Sequence, residues 1–197
     1  MGREFQFRAL EGSRALTPPV ARGRFAEAHQ GPEADTVGDS PSPRARGEVK
    51  TLVIDASIAV KWVVEESGTI EALALRRTAM LVAPDLLVVE CANILWKKFQ
   101  RREMSKEEAL LAARLLQGAE IELVPSRSLL EAATRFAIEL DHPAYDCLYL
   151  ALAIERDCRF VTADDRLLRK LGQQRRSRFR HKVIGLATAG GGESALT

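Results

Sequence analysis

Short apolar runs that end at an acidic residue, separated by longer helical patterns, are the feature that most constrains how this chain can fold. Asp55 follows the apolar run 51–54, and Asp164 follows the run 160–163. Apolar runs of this length that alternate with helical patterns are typical of buried parallel strands, whose connecting helices cover both faces of a sheet. Ligands of open α/β sheets bind at the carboxyl ends of such strands. The sequence therefore predicts a mostly parallel sheet with carboxylates at one edge.

The composition of the 197 residues fits a soluble α/β protein, since 46% of them are hydrophobic. The sequence shows neither an apolar stretch of membrane-spanning length nor a signal sequence, which predicts a cytoplasmic protein with no membrane partner. Three cysteines lack the C-x-x-C spacing of metal or redox sites and are interpreted as small buried side chains. They are Cys91, Cys147 and Cys158.

Residues 1–49 differ in composition from the rest of the chain. They contain five of the eight prolines and six of the thirteen glycines, but only eight Leu, Ile, Val or Phe residues, too few for a core. We predict that this segment is disordered, or alternatively that translation starts near Val49. Residues 50–187 are then the folded domain, and residues 188–197 a flexible tail.

The periodicity of apolar residues predicts five strands and seven helices after residue 49. The strands are expected at 50–55, 81–83, 121–124, 159–163 and 182–186. The helices are expected at 56–65, 68–79, 84–103, 105–116, 126–140, from residue 143 onward, and at 165–171. Three local signals support the helix starts: Pro84 in a first turn, a Ser105–Glu108 capping box, and Ser126 as an N-cap.

Four acidic residues are the candidate catalytic residues and metal ligands: Asp55, Glu90, Asp146 and Asp164. Glu90 and Asp146 lie within otherwise apolar helical patterns, where an unpaired carboxylate is costly to desolvate. A metal ion would compensate these charges, and an arginine partner is the alternative for Asp146. Oxygen donors without clustered histidine or cysteine favour Mg²⁺ or Mn²⁺ over Zn²⁺. His142 precedes a proline and is interpreted as a residue that begins a helix.

Neighbouring polar residues are predicted to support these acids. Asn93 follows Glu90 by one helical turn and can orient ligands or a water. Asp164 and Asp165 are adjacent, so one can bind metal while the other caps the next helix. Two hydroxyl groups, each two residues from an acid, can either hydrogen-bond a carboxylate or metal-bound water, or pack within their loops. They belong to Ser57 and Thr162.

Four short motifs occur in order between Lys50 and about Leu186. They are Val53-Ile54-Asp55-Ala56-Ser57; Pro84 to Glu90 followed by Asn93; Tyr145-Asp146 with Leu150-Ala151; and Val161-Thr162-Ala163-Asp164 with Arg166-Leu167. In these motifs the chain resembles the PIN domain family, and specifically VapC-type toxins of bacterial toxin–antitoxin pairs.

The resemblance implies a three-layer α/β/α fold with a parallel sheet. It also implies a Mg²⁺- or Mn²⁺-dependent endoribonuclease that a small cognate antitoxin neutralises, with the family's acids at Asp55, Glu90, Asp146 and Asp164. Hydrolysis at such a site leaves a 5′ phosphate and a 3′ hydroxyl. Apolar side chains on the helices between residues 56 and 79 are a candidate surface for a homodimer and an antitoxin segment, with burial in the core as the alternative.

RNA carries negatively charged phosphates, and a protein that binds RNA must contact them with basic side chains. The segment 166–182 contains eight Lys or Arg residues and no acids, while the whole chain has a net charge of only +2. Four arginines of this segment are predicted to bind RNA: Arg175, Arg176, Arg178 and Arg180. Further candidates end the helix of Glu90, namely Lys97, Lys98, Arg101 and Arg102. For any single basic residue, a solvated surface role is the alternative.

Other functional classes require different features. A receiver-like phosphoacceptor domain needs an acidic pair near the first strand and a lysine after a late strand, and neither is convincingly present. A nucleotide-binding module needs a glycine-rich loop after the first strand, which is absent from the sequence. A catalytically silent PIN-like protein that only binds RNA or a protein partner stays open.

Overall fold

The computed structural model describes residues 50–173 and 179–190. The disorder predicted for residues 1–49 and most of the predicted tail lie outside the described residues. The strands are β1 (Lys50–Ile54), β2 (Ala79–Pro84), β3 (Glu122–Val124), β4 (Arg159–Thr162) and β5 (Val183–Gly185). The helices are α1 (Ala56–Ala59), α2 (Thr69–Thr78), α3 (Leu86–Gln100), α4 (Lys106–Gln117), α5 (Ser126–Leu140), α6 (Ala144–Glu155), α7 (Asp165–Gln173) and α8 (Leu186–Gly190), and a 3₁₀ turn (Val60–Trp62) follows α1.

The five strands form a parallel sheet in the order β3-β2-β1-β4-β5. Val53 of the central strand pairs with Val82 of β2 and with Phe160 of β4. Because parallel crossovers are right-handed, the helices between β1 and β3 cover one face and those between β3 and β5 cover the other. The predicted three-layer α/β/α fold is confirmed. The strand order reverses between β1 and β4, which is where open α/β sheets bind ligands.

Helix α6 lies over the centre of the sheet and contacts β1, β2 and β4. Leu150 and Leu152 of this helix are at most 1% exposed. The ring of Tyr149 stacks on Phe160 of β4, with the ring centroids 5.4 Å apart and the planes 15° from parallel. The helix that carries Asp146 is therefore anchored in the core of the protein.

Two predicted helix starts are wrong, and contacts of residues 84–85 with residues 124–126 explain both. Pro84 is not in a first helical turn, because it is the last residue of β2 and pairs with Val124 of β3. Ser126 is not the N-cap of α5 but its first residue. The carboxylate of Asp85 accepts hydrogen bonds from the Ser126 backbone N–H, at 3.0 Å, and from its hydroxyl. Asp85 thus caps a helix 41 positions away.

The remaining boundaries agree with the sequence to within three residues, except at two places. The Ser105–Glu108 capping box is confirmed. The helix predicted at 56–65 ends at Ala59, and the 3₁₀ turn that follows brings the Trp62 indole to the carbonyl of Ala72, at 2.9 Å. Helix α8 begins at Leu186, where a strand was predicted to end. Within the described part of the chain, no helix combines the length and apolar character that crossing a membrane requires.

Candidate active site

Asp55 lies at the carboxyl end of β1 and is the N-cap of α1. Its backbone is extended, and its Oδ1 atom accepts a hydrogen bond from the Ile58 N–H at 3.3 Å. An aspartate is favoured at this position because it satisfies a backbone donor that the first helical turn leaves free. The same geometry holds the carboxylate at the switch point of the sheet, where it is only 8% exposed.

Two hydroxyl groups hold both oxygens of Asp55. Ser57 Oγ donates to Oδ1 and Thr162 Oγ1 donates to Oδ2, each at 2.5 Å. The same hydroxyl oxygens accept from the backbone N–H groups of Ala163 and Asp164, each at 2.9 Å. Each hydroxyl has a single hydrogen. Because each hydroxyl oxygen already accepts a hydrogen bond from a backbone N–H group, that hydrogen is directed at the carboxylate. The ends of β1 and β4 are thereby joined through Asp55.

The Asp55 carboxyl is difficult to ionise in this environment. Burial is the largest cause and raises its pKa from 3.8 to about 6, and the negative charge of Glu90 adds to the rise. The hydrogen bonds from Ser57, Thr162 and the Ile58 N–H act in the opposite direction. A cation next to Asp55 would offset the cost of its buried charge.

Glu90 approaches Asp55 from helix α3. Its Oε2 atom accepts a hydrogen bond of 2.5 Å from the hydroxyl of Tyr149, a residue of α6 that is 1% exposed. Burial raises the pKa of Glu90, the Tyr149 hydroxyl lowers it, and the charge of Asp146 raises it further. Sequence reasoning missed Tyr149, because its hydrogen bond joins residues 59 positions apart.

Asp146 lies in the first turn of α6, where the helix dipole favours a negative charge. Its Oδ2 atom is 2.6 Å from Nε2 of His142. Burial raises the pKa of Asp146, His142 lowers it, and the charge of Asp164 raises it. The partner considered from the sequence was an arginine, whereas the structure has His142, whose i,i+4 spacing to Asp146 was the available signal.

The structure distinguishes Asp164 from Asp165. Asp164 is half-buried, its Oδ1 atom accepts from the Arg166 N–H at 2.7 Å, and its charge acts on Asp146. Asp165 is the exposed first residue of α7. Asn93 is also exposed, and its side chain forms no hydrogen bond with a residue in the described ranges. Of these three, Asp164 is the residue that lies beside the other acids.

The four acids form a row of neighbouring charges: the charge of Glu90 acts on Asp55, that of Asp146 acts on Glu90, and that of Asp164 acts on Asp146. Within residues 50–173 and 179–190, no three His, Cys, Asp or Glu side chains converge into a ready-made metal cage. The donor set is nonetheless the one that suits Mg²⁺ or Mn²⁺, since these ions prefer oxygen ligands and Mg²⁺ retains several waters. Repulsion between partly buried carboxylates further favours a cation.

The basic residues near the end of α3 have different surroundings. Lys98 forms ion pairs with Glu66 and Glu103, and Arg101 Nη1 is 3.9 Å from Glu103 Oε1. Lys97 and Arg102 are exposed and form no ion pair with a described residue. Arg180 is exposed as well, while Arg175, Arg176 and Arg178 lie outside the described residues. Lys97, Arg102 and Arg180 are therefore exposed candidates for RNA contact, and Arg101 is exposed as well but lies beside Glu103.

If the site is the ribonuclease site that the motifs imply, the substitution Asp164→Asn is expected to lower RNA cleavage by about tenfold or more, because it removes a charge beside Asp146. Asp165→Asn is the matched change, and we expect it to stay within about threefold of the wild type since its side chain is exposed. Rates measured at saturating Mg²⁺ compare the two. Equal losses would contradict the assignment of Asp164, rather than Asp165, to the acidic site.

Comparison with known proteins finds one matching family and 12 matching chains among solved structures, including the two named below. The sequence profile of the PIN domain family matches residues 52–172. PAE2754 from Pyrobaculum aerophilum is 18% identical, with a TM-score of 0.49 and coverage of 72% of this chain and 93% of that one. VapC20 of Mycobacterium tuberculosis, a sarcin-ricin loop cleaving toxin, is 14% identical, with a TM-score of 0.45 and coverage of 56% and 86%. No curated protein matches the chain significantly.

Proposed function

The chain belongs to the PIN domain family, and from this premise we propose that it is a Mg²⁺- or Mn²⁺-dependent endoribonuclease. The observation that carries the proposal is the environment of Asp55, a buried carboxylate at the switch point of the sheet with a pKa raised to about 6. Buried carboxylates that repel one another are unfavourable for stability alone, and a divalent cation offsets this cost.

The proposed metal ligands are the four acids. Asp55 and Asp146 bind the ion directly, while Glu90 and Asp164 bind it directly or through water. When bound, the ion supplies positive charge that attracts an RNA phosphate and acidifies a nucleophilic water. The chain's own contribution is orientation, since Ser57 and Thr162 fix both oxygens of Asp55.

The proposed substrate and partners rest on the sequence motifs rather than on the fold. We propose that the protein is the toxin of a toxin–antitoxin pair, acts on RNA in the cytoplasm, forms a homodimer and is neutralised by a cognate antitoxin. Lys97, Arg102 and the four arginines between residues 175 and 180 are the proposed phosphate contacts. Residues 50–187 are proposed to be sufficient for activity.

A cleavage assay with controlled metal content tests the nuclease proposal. The purified chain, incubated with single-stranded RNA, is expected to lose cleavage completely in EDTA and to regain it when Mg²⁺ or Mn²⁺ is added in excess. The products should carry 5′ phosphates and 3′ hydroxyls. Cleavage that persists in EDTA would contradict the metal-dependent mechanism. RNA binding without cleavage under any metal would instead support the catalytically silent alternative.

A further inference from the structure

Tyr149 connects the two helices that carry the middle pair of acids. It lies on α6 one helical turn after Asp146, and its hydroxyl donates to Oε2 of Glu90 on α3 at 2.5 Å. We propose that Tyr149 is a positioning residue, which holds the Glu90 carboxylate in the orientation that the divalent cation requires. The inference deepens the proposed function and rests on it, because it assumes that Glu90 faces the ion.

The ring of Tyr149 is held firmly. The side chain is 1% exposed and the ring stacks on Phe160, with centroids 5.4 Å apart, so the hydroxyl oxygen cannot move away from Glu90 without disrupting the core. Helix α6 itself is fixed by its contacts with three strands. The position of the Tyr149 hydroxyl is therefore determined by the centre of the fold.

Glu90 requires such an anchor. Its side chain has three rotatable bonds and is only half-buried, so ordering it costs conformational entropy. The charges of Asp55 and Asp146 both repel its carboxylate, which favours rotation toward solvent. The Tyr149 hydroxyl opposes this rotation by binding Oε2, while Oε1 has no hydrogen-bond partner among the described residues. One oxygen is thus held and the other remains for the ion or for a water bound to it.

The hydrogen bond from the Tyr149 hydroxyl to Glu90 is the contact that the proposal concerns. Removing a residue that orients a metal ligand in this manner typically lowers metal affinity or activity by about tenfold to a hundredfold.

The test uses Tyr149→Phe in the full-length chain, because this change removes one oxygen and retains the ring on Phe160. Mn²⁺ binding is measured by calorimetry without RNA, and RNA cleavage is measured as a function of Mn²⁺ concentration. We expect Mn²⁺ to bind about tenfold to a hundredfold more weakly, with a matching shift in the concentration that gives half-maximal cleavage. The matched control is Tyr145→Phe, one turn earlier and 65% exposed, which is expected to bind Mn²⁺ as the wild type does.

A double-variant cycle separates positioning from a general effect on folding. In a Glu90→Gln background, Tyr149→Phe should change Mn²⁺ affinity by less than about twofold, because its target carboxylate is gone. Wild-type Mn²⁺ affinity in Tyr149→Phe, or an equal loss in both backgrounds, would overturn the inference. If Tyr149→Phe does not fold, Glu90→Asp replaces it, since the shorter side chain withdraws the carboxylate from the hydroxyl. Wild-type affinity in that variant overturns the inference as well.

The two proposals fail in different ways. A wild-type chain that binds Mn²⁺ but cleaves no RNA would contradict the nuclease proposal, while the calorimetric comparison would still decide the role of Tyr149. A wild-type chain that cleaves RNA with Mn²⁺, together with a Tyr149→Phe variant of unchanged metal affinity, would overturn the positioning role alone.

Discussion

Replacing Asp55 with asparagine is expected to lower RNA cleavage by at least about 100-fold, because it removes the charge that would face the metal ion in the proposed site. Asparagine has nearly the same size, but its amide nitrogen donates where an oxygen accepted. The Ser57 and Thr162 hydroxyls both donate toward this side chain, so one of them loses its acceptor. Relief of the buried charge opposes this loss, and we expect unfolding free energy to change by no more than about 2 kcal/mol.

Single-turnover cleavage at saturating Mn²⁺ and circular dichroism measure the two effects of Asp55→Asn. Asp157→Asn is a matched control near the amino end of β4, where the side chain is 94% exposed, and it should cleave like the wild type. Asp146→Asn should lose cleavage to a similar extent as Asp55→Asn. Folded Asp55 and Asp146 variants that cleave as fast as the wild type would refute the metal-nuclease assignment.

Raising the pH from about 4 to above 6 is expected to destabilise the metal-free protein through Asp55. The pKa of this carboxyl is about 6 in the folded state, against 3.8 for an exposed aspartate, so the folded state binds the proton more tightly. The resulting stability is fully present below pH 3.8 and is lost as the pH rises through 6. A difference of this size corresponds to about 3 kcal/mol.

Urea denaturation in EDTA, repeated across this pH range, measures the effect. Because Glu90 and Asp146 titrate in the same direction, the quantity to compare is the wild type minus Asp55→Asn. As the pH rises, the unfolding free energy of the wild type should fall relative to that of Asp55→Asn. Mn²⁺ added above pH 6 should reverse this change. A difference that does not vary with pH would show that Asp55 is not held as a buried, uncompensated carboxylate.

The sequence correctly predicted the strands and helices that are stabilised by interactions between residues close together in the chain. The apolar runs that end at Asp55 and Asp164 predicted the two strands at the switch point, and the Ser105–Glu108 capping box satisfies its own helix. The predictions for Pro84 and Ser126 were wrong because each residue interacts with a segment distant in sequence. Pro84 pairs with β3, and Ser126 donates hydrogen bonds to Asp85. Sequence spacing cannot report a cap that comes from another segment.

The same distinction applies to the site. Asp55, Glu90, Asp146 and Asp164 could be proposed from their positions after strands or within apolar helices, and the fold brings them into series. The role of Tyr149 could not be predicted, because a tyrosine on an apolar helical face has the sequence pattern of a core residue. Only the structure shows its hydrogen bond to Glu90. The partner of Asp146 lay within reach of sequence reasoning, at i,i+4, but was interpreted only as the start of a helix.

The hydrogen bond between Thr162 and Asp55 joins residues 107 positions apart, and this separation has a consequence for synthesis on the ribosome. A growing chain emerges amino terminus first. Until β4 has left the exit tunnel, Asp55 has neither Thr162 nor the backbone N–H groups that orient the hydroxyls around it. If the chain is a ribonuclease toxin, incomplete products released before that point carry Asp55 and Glu90 without an assembled site, and the cell is exposed to activity only from chains that extend past β4.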